Sequence, residues 1–218
     1  MSNRYERLSI ALKYYLIGKG YNLALEALQF AKQKHDGLRK DGVTPEVQHQ
    51  IEIALYLTTL KGIREEENTL IVALLHDIIE DCDVNREAVE GRFGKSIADS
   101  VWAISKKVNG VEKYPHEGGG LVYYDDCAND LRASIVKAAD RIHNVNSMAG
   151  VFSTEKQVRY VNEVEIHFLP MIKKAEGLFP DQFMAYMNAK HMLKSQASLV
   201  RNALSGDFPD GLPLNRMV

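Results

Sequence analysis

Residues 71–82, which read IVALLHDIIEDC, restrict the fold more than any other stretch of the chain. The segment is apolar on nearly every side of a helix, which predicts a helix at the centre of an all-helical bundle. It also carries His76, Asp77, Glu80 and Asp81, and burying such charges without partners is costly. A divalent cation would remove that cost. The alternative is that Glu80 and Asp81 mark the end of a helix that emerges into water.

The same helical periodicity runs through most of the chain. Apolar residues three or four positions apart predict helices at 6–17, 22–35, 46–60, 67–81, 86–92, 96–108, 128–145, 155–176 and 182–204. Alternating runs of β-branched residues are missing, so we expect little or no strand. Asn22, and either Asn68 or Thr69, are predicted N-caps. These patterns predict an all-α, single-domain helical bundle over residues 1–204.

Three stretches interrupt the helical pattern. Residues 35–45 (HDGLRKDGVTP) predict an ordered loop between the second and third helices, since they contain two glycines and a proline. Residues 108–126 contain a glycine triplet and predict a long loop, of the kind that is usually functional or disordered. Residues 205–218 are expected to form a flexible C-terminal tail.

Composition limits the partners and the compartment. With 218 residues and a formal net charge of −2, the chain has no overall positive field to attract nucleic acid or an anionic membrane. No stretch approaches the ~20 apolar residues that span a bilayer. Cys82 and Cys127 lack CxxC spacing and predict reduced thiols, and the N-terminal residues do not resemble a signal peptide. We therefore expect a cytoplasmic protein, and a homo-oligomer stays open.

Two residues outside the central helix are candidate partners for its acids. His35 continues the buried stripe of the second helix, although a lone histidine there is more often a satisfied core residue than a ligand. Asp140 lies beside a buried stripe in LRASIVKAADRIHNV, where a cap or a salt bridge with Arg141 is the alternative. With His76 and Asp77 they would give a set of two imidazoles and two carboxylates. Such mixed ligands with open positions suit Mn²⁺, Fe²⁺ or Zn²⁺, and octahedral geometry favours Mn²⁺.

The order of these residues resembles that of the HD-domain metal phosphohydrolases. Longer motifs resemble the hydrolase domain of the RelA/SpoT-type alarmone enzymes, over residues 22–176. They are HDGLRKDG (35–42), ALLHDIIED (73–81), FGKSIADSVWAISK (93–106), VKAADRIHN (136–144) and EKQVRYVNEVEIHFLP (155–170).

The resemblance implies a helical bundle with one bound manganese that hydrolyses the 3′-pyrophosphate of (p)ppGpp to GDP or GTP and pyrophosphate. It implies that the metal ligands are His35, His76, Asp77 and Asp140. Glu80 and Asp81 match the acidic pair that handles the attacking water and its proton. Between them, Glu80 is expected to be the better proton shuttle, since burial beside another carboxylate can raise its pKa.

The resemblance also implies residues that contact the nucleotide. Arg39 and Lys40 match a basic pair near the nucleotide, and Asn144 matches a nucleotide-contacting asparagine. Lys106, Lys137 and Arg141 are further candidates for holding the anionic substrate, although each could equally be a solvated surface charge.

One departure from the family pattern lies in the third helix, where His49 is followed by Gln50 instead of proline. The chain also ends soon after the hydrolase motifs, which predicts a stand-alone small alarmone hydrolase without a synthetase domain. Two alternatives stay open: an HD-class phosphohydrolase acting on a deoxynucleotide, NADPH or another nucleotide, and a non-catalytic alarmone-binding protein.

Overall fold

The computed structural model describes residues 3–39, 42–116 and 118–205. The first helices are α1 (Asn3–Lys19), α2 (Asn22–Lys34), α3 (Val47–Thr58), α4 (Glu66–Leu75), α5 (Ile78–Asp81), α6 (Arg86–Phe93) and α7 (Lys95–Ile104). Two short strands follow, β1 (Lys107–Val108) and β2 (Val111–Glu112). The remaining helices are α8 (Gly119–Asn129), α9 (Leu131–Ser147), α10 (Thr154–Glu163), α11 (Leu169–Leu178) and α12 (Phe183–Ser205).

Helix α4 forms the centre of the bundle. Residues 69–75 are each at most 1% exposed, so the helix is buried on all sides. It packs against α2, α3, α7 and α9. Burial of this kind explains why the segment is apolar all round, and it confirms the predicted all-helical fold with little strand.

The prediction of one continuous helix over residues 67–81 is wrong at residues 76 and 77. Helix α4 ends at Leu75, and His76 and Asp77 form a turn before the short helix α5 begins at Ile78. Asp77 has φ −100° and ψ 1°, outside the helical region. Its carbonyl accepts hydrogen bonds from the backbone N–H groups of both Glu80 and Asp81. The adjacent histidine and aspartate therefore lie on a sharp bend in the buried core.

The predicted N-caps are also wrong. The backbone N–H groups of Leu23 and Ala24 at the start of α2 donate to the carboxylate of Glu67 in α4, so the helix is capped by a residue distant in sequence. Asn68 and Thr69 lie inside α4, which begins at Glu66. A local sequence pattern cannot reveal a cap that tertiary packing supplies.

The predicted helix 96–108 ends at Ile104, and a β-hairpin follows. Strands β1 and β2 pair antiparallel, with Val108 opposite Val111. Asn109 and Gly110 have φ values of 52° and 76°. Positive φ at both central residues is typical of a type I′ turn, which an Asn-Gly pair favours. The Asn-Gly pair is the hairpin signal in the sequence, since the two-residue strands are too short to show an alternating pattern.

The second part of the predicted loop 108–126 is helical, because α8 begins at Gly119. Gly118 precedes it with φ 80°, in the left-handed region. A Cβ atom on Gly119 would lie 2.1 Å from the carbonyl oxygen of Tyr114, whereas a Cβ on Gly120 would meet nothing within 4 Å. The glycine triplet thus allows a close approach between a helix start and the chain before it.

The other boundaries differ less. Helix α9 begins three residues later than predicted, after Asp130, whose side chain accepts from the N–H groups of Arg132 and Ala133. The predicted helix 155–176 is divided into α10 and α11 by a π-helical turn (Val164–Phe168). The predicted tail beyond residue 205 lies outside the described residues. None of the described helices is both long and apolar enough to span a bilayer.

Replacing Gly119 with alanine should destabilise the protein by about 1–3 kcal/mol, because the new Cβ would collide with backbone that cannot rotate away. The matched change Gly120→Ala should be neutral or stabilising by up to about 1 kcal/mol, since alanine favours a helix. Urea denaturation of both variants measures the difference. Equal effects of the two changes would contradict the close approach.

Candidate functional site

The turn at His76 and Asp77 faces two other helices that each bring a polar residue to it. His49 comes from α3 and Asp140 from α9, and both pack against α4. His49, His76 and Asp140 are all at least nine-tenths buried. The core therefore contains a polar centre where the three helices meet.

The distances make this centre a candidate metal site. His49, His76 and Asp77 each offer one ligand atom, and these atoms all lie within 4.8 Å of one another. Asp140 lies outside this group of three, but its Oδ1 is 3.2 Å from Nε2 of His49, so its carboxylate borders the same point. Imidazole nitrogens and carboxylate oxygens converging in this way are ligands for divalent transition metals.

The orientation of His76 fits a metal ligand. Its Nδ1 lies 2.8 Å from the carbonyl oxygen of Ala73, and a carbonyl can only accept, so Nδ1 carries a proton. Its Nε2 is buried and has no hydrogen-bond partner, although Oδ2 of Asp77 is 2.9 Å away. A buried nitrogen without a hydrogen bond, held beside a carboxylate oxygen, is an arrangement that a cation would complete.

The electrostatics of the centre also favour a cation. Burial alone would lower the pKa of His76, but the charges of Asp77 and Asp140 raise it to about 9. Burial alone would raise the pKa of Asp140, but Lys137 and His49 hold it well below its usual value. Asp77 and Asp140 therefore stay ionised, and their negative charges are stabilised by a positive charge between them, which a divalent ion supplies.

Further polar contacts lie behind His49. Its Nδ1 is 2.9 Å from Nδ1 of His143, one turn beyond Asp140 in α9. The opposite nitrogen of His143, Nε2, is 2.6 Å from Oε2 of Glu52 in α3. Arg4 in α1 donates to the other oxygen of Glu52, at 2.8 and 3.0 Å. His49 is thus connected through two half-buried side chains to the N-terminal helix.

His35, which was predicted to be a ligand, is not in the group of atoms within 4.8 Å. It is 3% exposed, and burial lowers its pKa. Its ring lies beside Sγ of Cys82, 3.5 Å from Nδ1 and 3.9 Å from Nε2. Since His49 occupies the position facing Asp140, the geometry favours His49 as the ligand and gives His35 a supporting position nearby.

Two residues predicted to contact the nucleotide, Lys137 and Asn144, contact Asp140 in the structure. Lys137 Nζ is 3.1 Å from Oδ2 of Asp140, and Nδ2 of Asn144 donates to Oδ1 at 2.6 Å. Lys137 is also 5.6 Å from the centre of the Tyr123 ring. Both side chains are one turn or less from Asp140 along α9, so they orient this carboxylate and balance its charge.

Arg141 has mostly internal partners as well. Its guanidinium lies between the rings of Tyr160 and Phe168, at 4.2 and 4.3 Å, and donates to Glu163 at 2.6 Å. Its Nη1 is buried without a hydrogen-bond partner. The contacts give Arg141 a structural role between α9 and α10.

Of the other predicted basic residues, Lys106 is exposed, and its side chain lines a cavity of about 160 Å³ beside Tyr123 and the glycine triplet. Arg39 is half-buried in the turn that joins α2 to α3, where its backbone bonds to Thr44. Lys40 lies outside the described residues. Of these basic residues, Lys106 and Arg39 are therefore fully or partly exposed to solvent.

Glu80 and Asp81, which were predicted to be catalytic, follow the turn in α5. Glu80 is half-buried and accepts a hydrogen bond from the backbone N–H of Lys106, at the start of the hairpin. Asp81 is exposed, yet partial desolvation of its carboxyl and the charges of Asp77, Glu80 and Glu46 raise its pKa to about 6. Asp81 therefore has a raised pKa of the kind that suits a proton carrier near neutral pH.

Sequence reasoning missed His49 as a functional residue, although a signal was present. His49, Ile53 and Leu57 are spaced four residues apart, and all are buried in α3. This spacing predicts that His49 lies on the core face.

Comparison with protein families gives a match to a model described as an HD domain, over residues 27–115. The matched region includes His49 and the turn at His76 and Asp77. Asp140 lies beyond it.

Curated relatives match a longer part of the chain. A probable guanosine-3′,5′-bis(diphosphate) 3′-pyrophosphohydrolase of Synechocystis is 30% identical over 155 residues, which are 70% of this chain and 20% of the relative. A guanosine-3′,5′-bis(diphosphate) 3′-pyrophosphohydrolase of Aquifex aeolicus is 32% identical over 66% of this chain and 20% of the relative. The bifunctional (p)ppGpp synthase/hydrolase SpoT of Escherichia coli is 28% identical over 77% of this chain and 24% of the relative. The chain thus matches about a fifth to a quarter of the length of these relatives.

A solved structure shows the same fold. It is described as a metazoan ortholog of SpoT that hydrolyses ppGpp, and it matches with a TM-score of 0.59 at 22% identity. The match covers 82% of this chain and 95% of the other.

The contacts of Glu52 predict an acid-dependent contribution to stability. Burial alone would raise the pKa of Glu52, but hydrogen bonds from His143 and Arg4 lower it from 4.5 to about 2. Because the folded-state pKa is depressed, the stabilisation is fully present above pH 4.5 and is lost as the pH falls towards 2. Glu52→Gln should therefore lower the free energy of unfolding by about 3 kcal/mol near pH 7.

Urea titrations of the wild-type protein and Glu52→Gln between pH 7 and pH 3 measure this difference. It should shrink steadily below pH 4.5. A difference that stays constant across this range would show that the charge of Glu52 is not what stabilises the fold.

Proposed function

Because the chain contains an HD domain and is related to the RelA/SpoT-type hydrolases, we propose that it removes the 3′-pyrophosphate of (p)ppGpp. The products would be GDP or GTP and pyrophosphate. The observation that carries this proposal is the buried convergence of His49, His76, Asp77 and Asp140, with the raised-pKa acid Asp81 one turn beyond Asp77.

We propose that His49, His76, Asp77 and Asp140 hold the divalent metal that an HD domain uses. This set keeps three of the four ligands predicted from the sequence and replaces His35 by His49. Support comes from the unpartnered Nε2 of His76 and from the acids that need a positive charge between them. Two nitrogen and two oxygen ligands with positions left for water favour Mn²⁺ as that ion. When bound, the ion would lower the pKa of a water molecule and so supply a nucleophile near neutral pH.

The two acids of α5, Glu80 and Asp81, would assist the transfer of the proton in this reaction. Water adds to the phosphorus next to the 3′ oxygen, the bond to that oxygen breaks, and the oxygen takes up a proton. A group that accepts and returns a proton near neutral pH needs a pKa close to that pH. Asp81, with its pKa raised to about 6, meets this requirement. Glu80 is held by the backbone N–H of Lys106 and would orient the water beside it.

The substrate carries two diphosphates, which require local positive charge because the net charge of the whole chain is −2. Arg39, Lys40 and Lys106 remain the proposed contacts for its phosphates. For Lys137, Arg141 and Asn144 we propose an indirect role, since their partners are Asp140 and Glu163. A cytoplasmic location fits a nucleotide substrate of this kind.

The metal ligands can be tested with two histidine variants that lose the same volume from buried positions. His49→Ala should weaken Mn²⁺ binding by more than about 100-fold, since it removes a ligand. His35→Ala should weaken it by less than about 10-fold, because His35 lies outside the ligand group. Isothermal titration with Mn²⁺ measures both. The opposite order would return the ligand position to His35.

The reaction can be tested by incubating the protein with Mn²⁺ and ppGpp, pppGpp, dNTPs or NADPH, and by measuring both products of each. Pyrophosphate together with GDP or GTP is the expected result. Cleavage of dNTPs or NADPH alone would favour another nucleotide phosphohydrolase. Tight binding of ppGpp without turnover would favour a binding protein.

The proposed proton carrier has a matched control two residues away. Asp81→Asn should lower turnover by about 100-fold or more while leaving Mn²⁺ affinity intact. Asp83→Asn changes an exposed acid of the same segment and should leave turnover unchanged. Full activity of Asp81→Asn would remove Asp81 from the mechanism.

A further inference from the structure

His49 is the inner end of an unbroken row of three buried or half-buried side chains. Oε2 of Glu52 is 2.6 Å from Nε2 of His143, and Nδ1 of His143 is 2.9 Å from Nδ1 of His49. The other edge of His49 faces the centre, with Nε2 3.2 Å from Asp140 and 3.9 Å from Asp77. The row therefore begins at a carboxylate outside the centre and ends at a nitrogen inside it.

The carboxylate at the outer end sets the direction of the hydrogen bonds. Ionised Glu52 can only accept, so Nε2 of His143 must carry a proton and donate it. In a neutral His143 the other nitrogen, Nδ1, then has a lone pair and accepts. Its partner Nδ1 of His49 must donate. In a neutral His49 this leaves the lone pair on Nε2, which faces Asp77 and Asp140.

Two carboxylates and a lone pair facing one another form an unfavourable arrangement unless a cation lies among them. The orientation that Glu52 and His143 impose is therefore the one in which His49 can coordinate a metal. A histidine with a free ring would turn or adopt the other tautomer, with its proton directed at Asp140.

We propose that Glu52 and His143 are positioning residues that fix the tautomer and ring orientation of His49 for metal binding. The inference rests on the proposed role of His49 as a ligand, and it assigns function to two residues outside the ligand set. They act through His49 and do not touch substrate.

The outer end of the row is held by more than one contact. Arg4 donates two hydrogen bonds to Oε1 of Glu52, and Gln48 donates a third at 3.2 Å. With Oε1 occupied in this way, Oε2 is left for His143. Arg4 belongs to α1, before the region that matches the HD-domain model, so the N-terminal helix contributes to the orientation of a residue in the centre.

Two variants of His143 separate positioning from simple packing. His143→Phe keeps a ring but cannot accept from His49, and should weaken Mn²⁺ binding by roughly 10- to 100-fold. His143→Asn retains a carbonyl oxygen near the position of Nδ1, and should recover most of the affinity. Isothermal titration with Mn²⁺ gives the affinities, and urea denaturation of the metal-free proteins gives their stabilities.

A second pair tests the outer carboxylate. Glu52→Leu removes the acceptor that orients His143, and should weaken Mn²⁺ binding. Glu66→Leu removes a half-buried carboxylate that accepts from Tyr15 and Tyr21, remote from the centre. It should lower stability without changing Mn²⁺ affinity. This pair also decides the matter if His143→Phe does not fold.

The outcomes distinguish this inference from the proposed function. If the wild-type protein binds Mn²⁺ and loses it in His49→Ala, while His143→Phe and Glu52→Leu bind as tightly as the wild type, the positioning role is overturned and the metal site stands. If the wild-type protein binds no Mn²⁺, both the metal site and the positioning role fail. Weaker binding in both variants, recovery in His143→Asn and no change in Glu66→Leu are the results expected.

Discussion

The structure depends on how the bundle accommodates ionised groups at its centre. Asp77 and Asp140 lie where helices of the apolar core meet, and their desolvation would be costly without compensation. Compensation comes from every side: His49 and Lys137 contact Asp140, and His76 contacts Asp77. A divalent ion would complete this balance. The relative positions of helices α3, α4 and α9 are thus constrained by these charge interactions as well as by apolar packing.

The turn at His76 and Asp77, which separates α4 from α5, is the local consequence of this need to compensate buried charge. In a continuous helix, His76 and Asp77 would point about 100° apart, and Asp77 would be carried away from His49. The turn lets the imidazole of His76 and the carboxylate of Asp77 face the same point. It is also followed directly by α5, which carries the two acids. The apolar residues before the turn hold it rigid, since residues 69–75 are at most 1% exposed. Geometry at the centre is therefore fixed by the most buried part of the fold.

The sequence predicted those features that depend on periodicity. The all-helical class, the central position of α4 and the buried positions of His76 and Asp140 all follow from apolar spacing. What it could not predict depends on contacts between distant segments. The cap of α2 by Glu67 and the alignment of His49 with His143 each require a partner that is remote in sequence, and the turn at Asp77 brings its carboxylate to within 3.9 Å of His49 from α3. His49 lies in a predicted helix with a regular stripe, yet nothing local distinguishes it from His35, which also lies on a buried stripe. Only the packing of α3 against α9 does so.

The hairpin between α7 and α8 has a consequence for how such chains can vary. Lys106, the residue just before its first strand, donates a backbone hydrogen bond to Glu80, while its tip is the exposed pair Asn109 and Gly110. Inserting residues between Ile104 and Lys107 would shift the N–H group that orients this acid. Inserting them at the tip would lengthen the hairpin without moving its base. Related chains are therefore expected to tolerate length changes at the tip of the hairpin and to preserve the number of residues between Ile104 and Lys107 at its base.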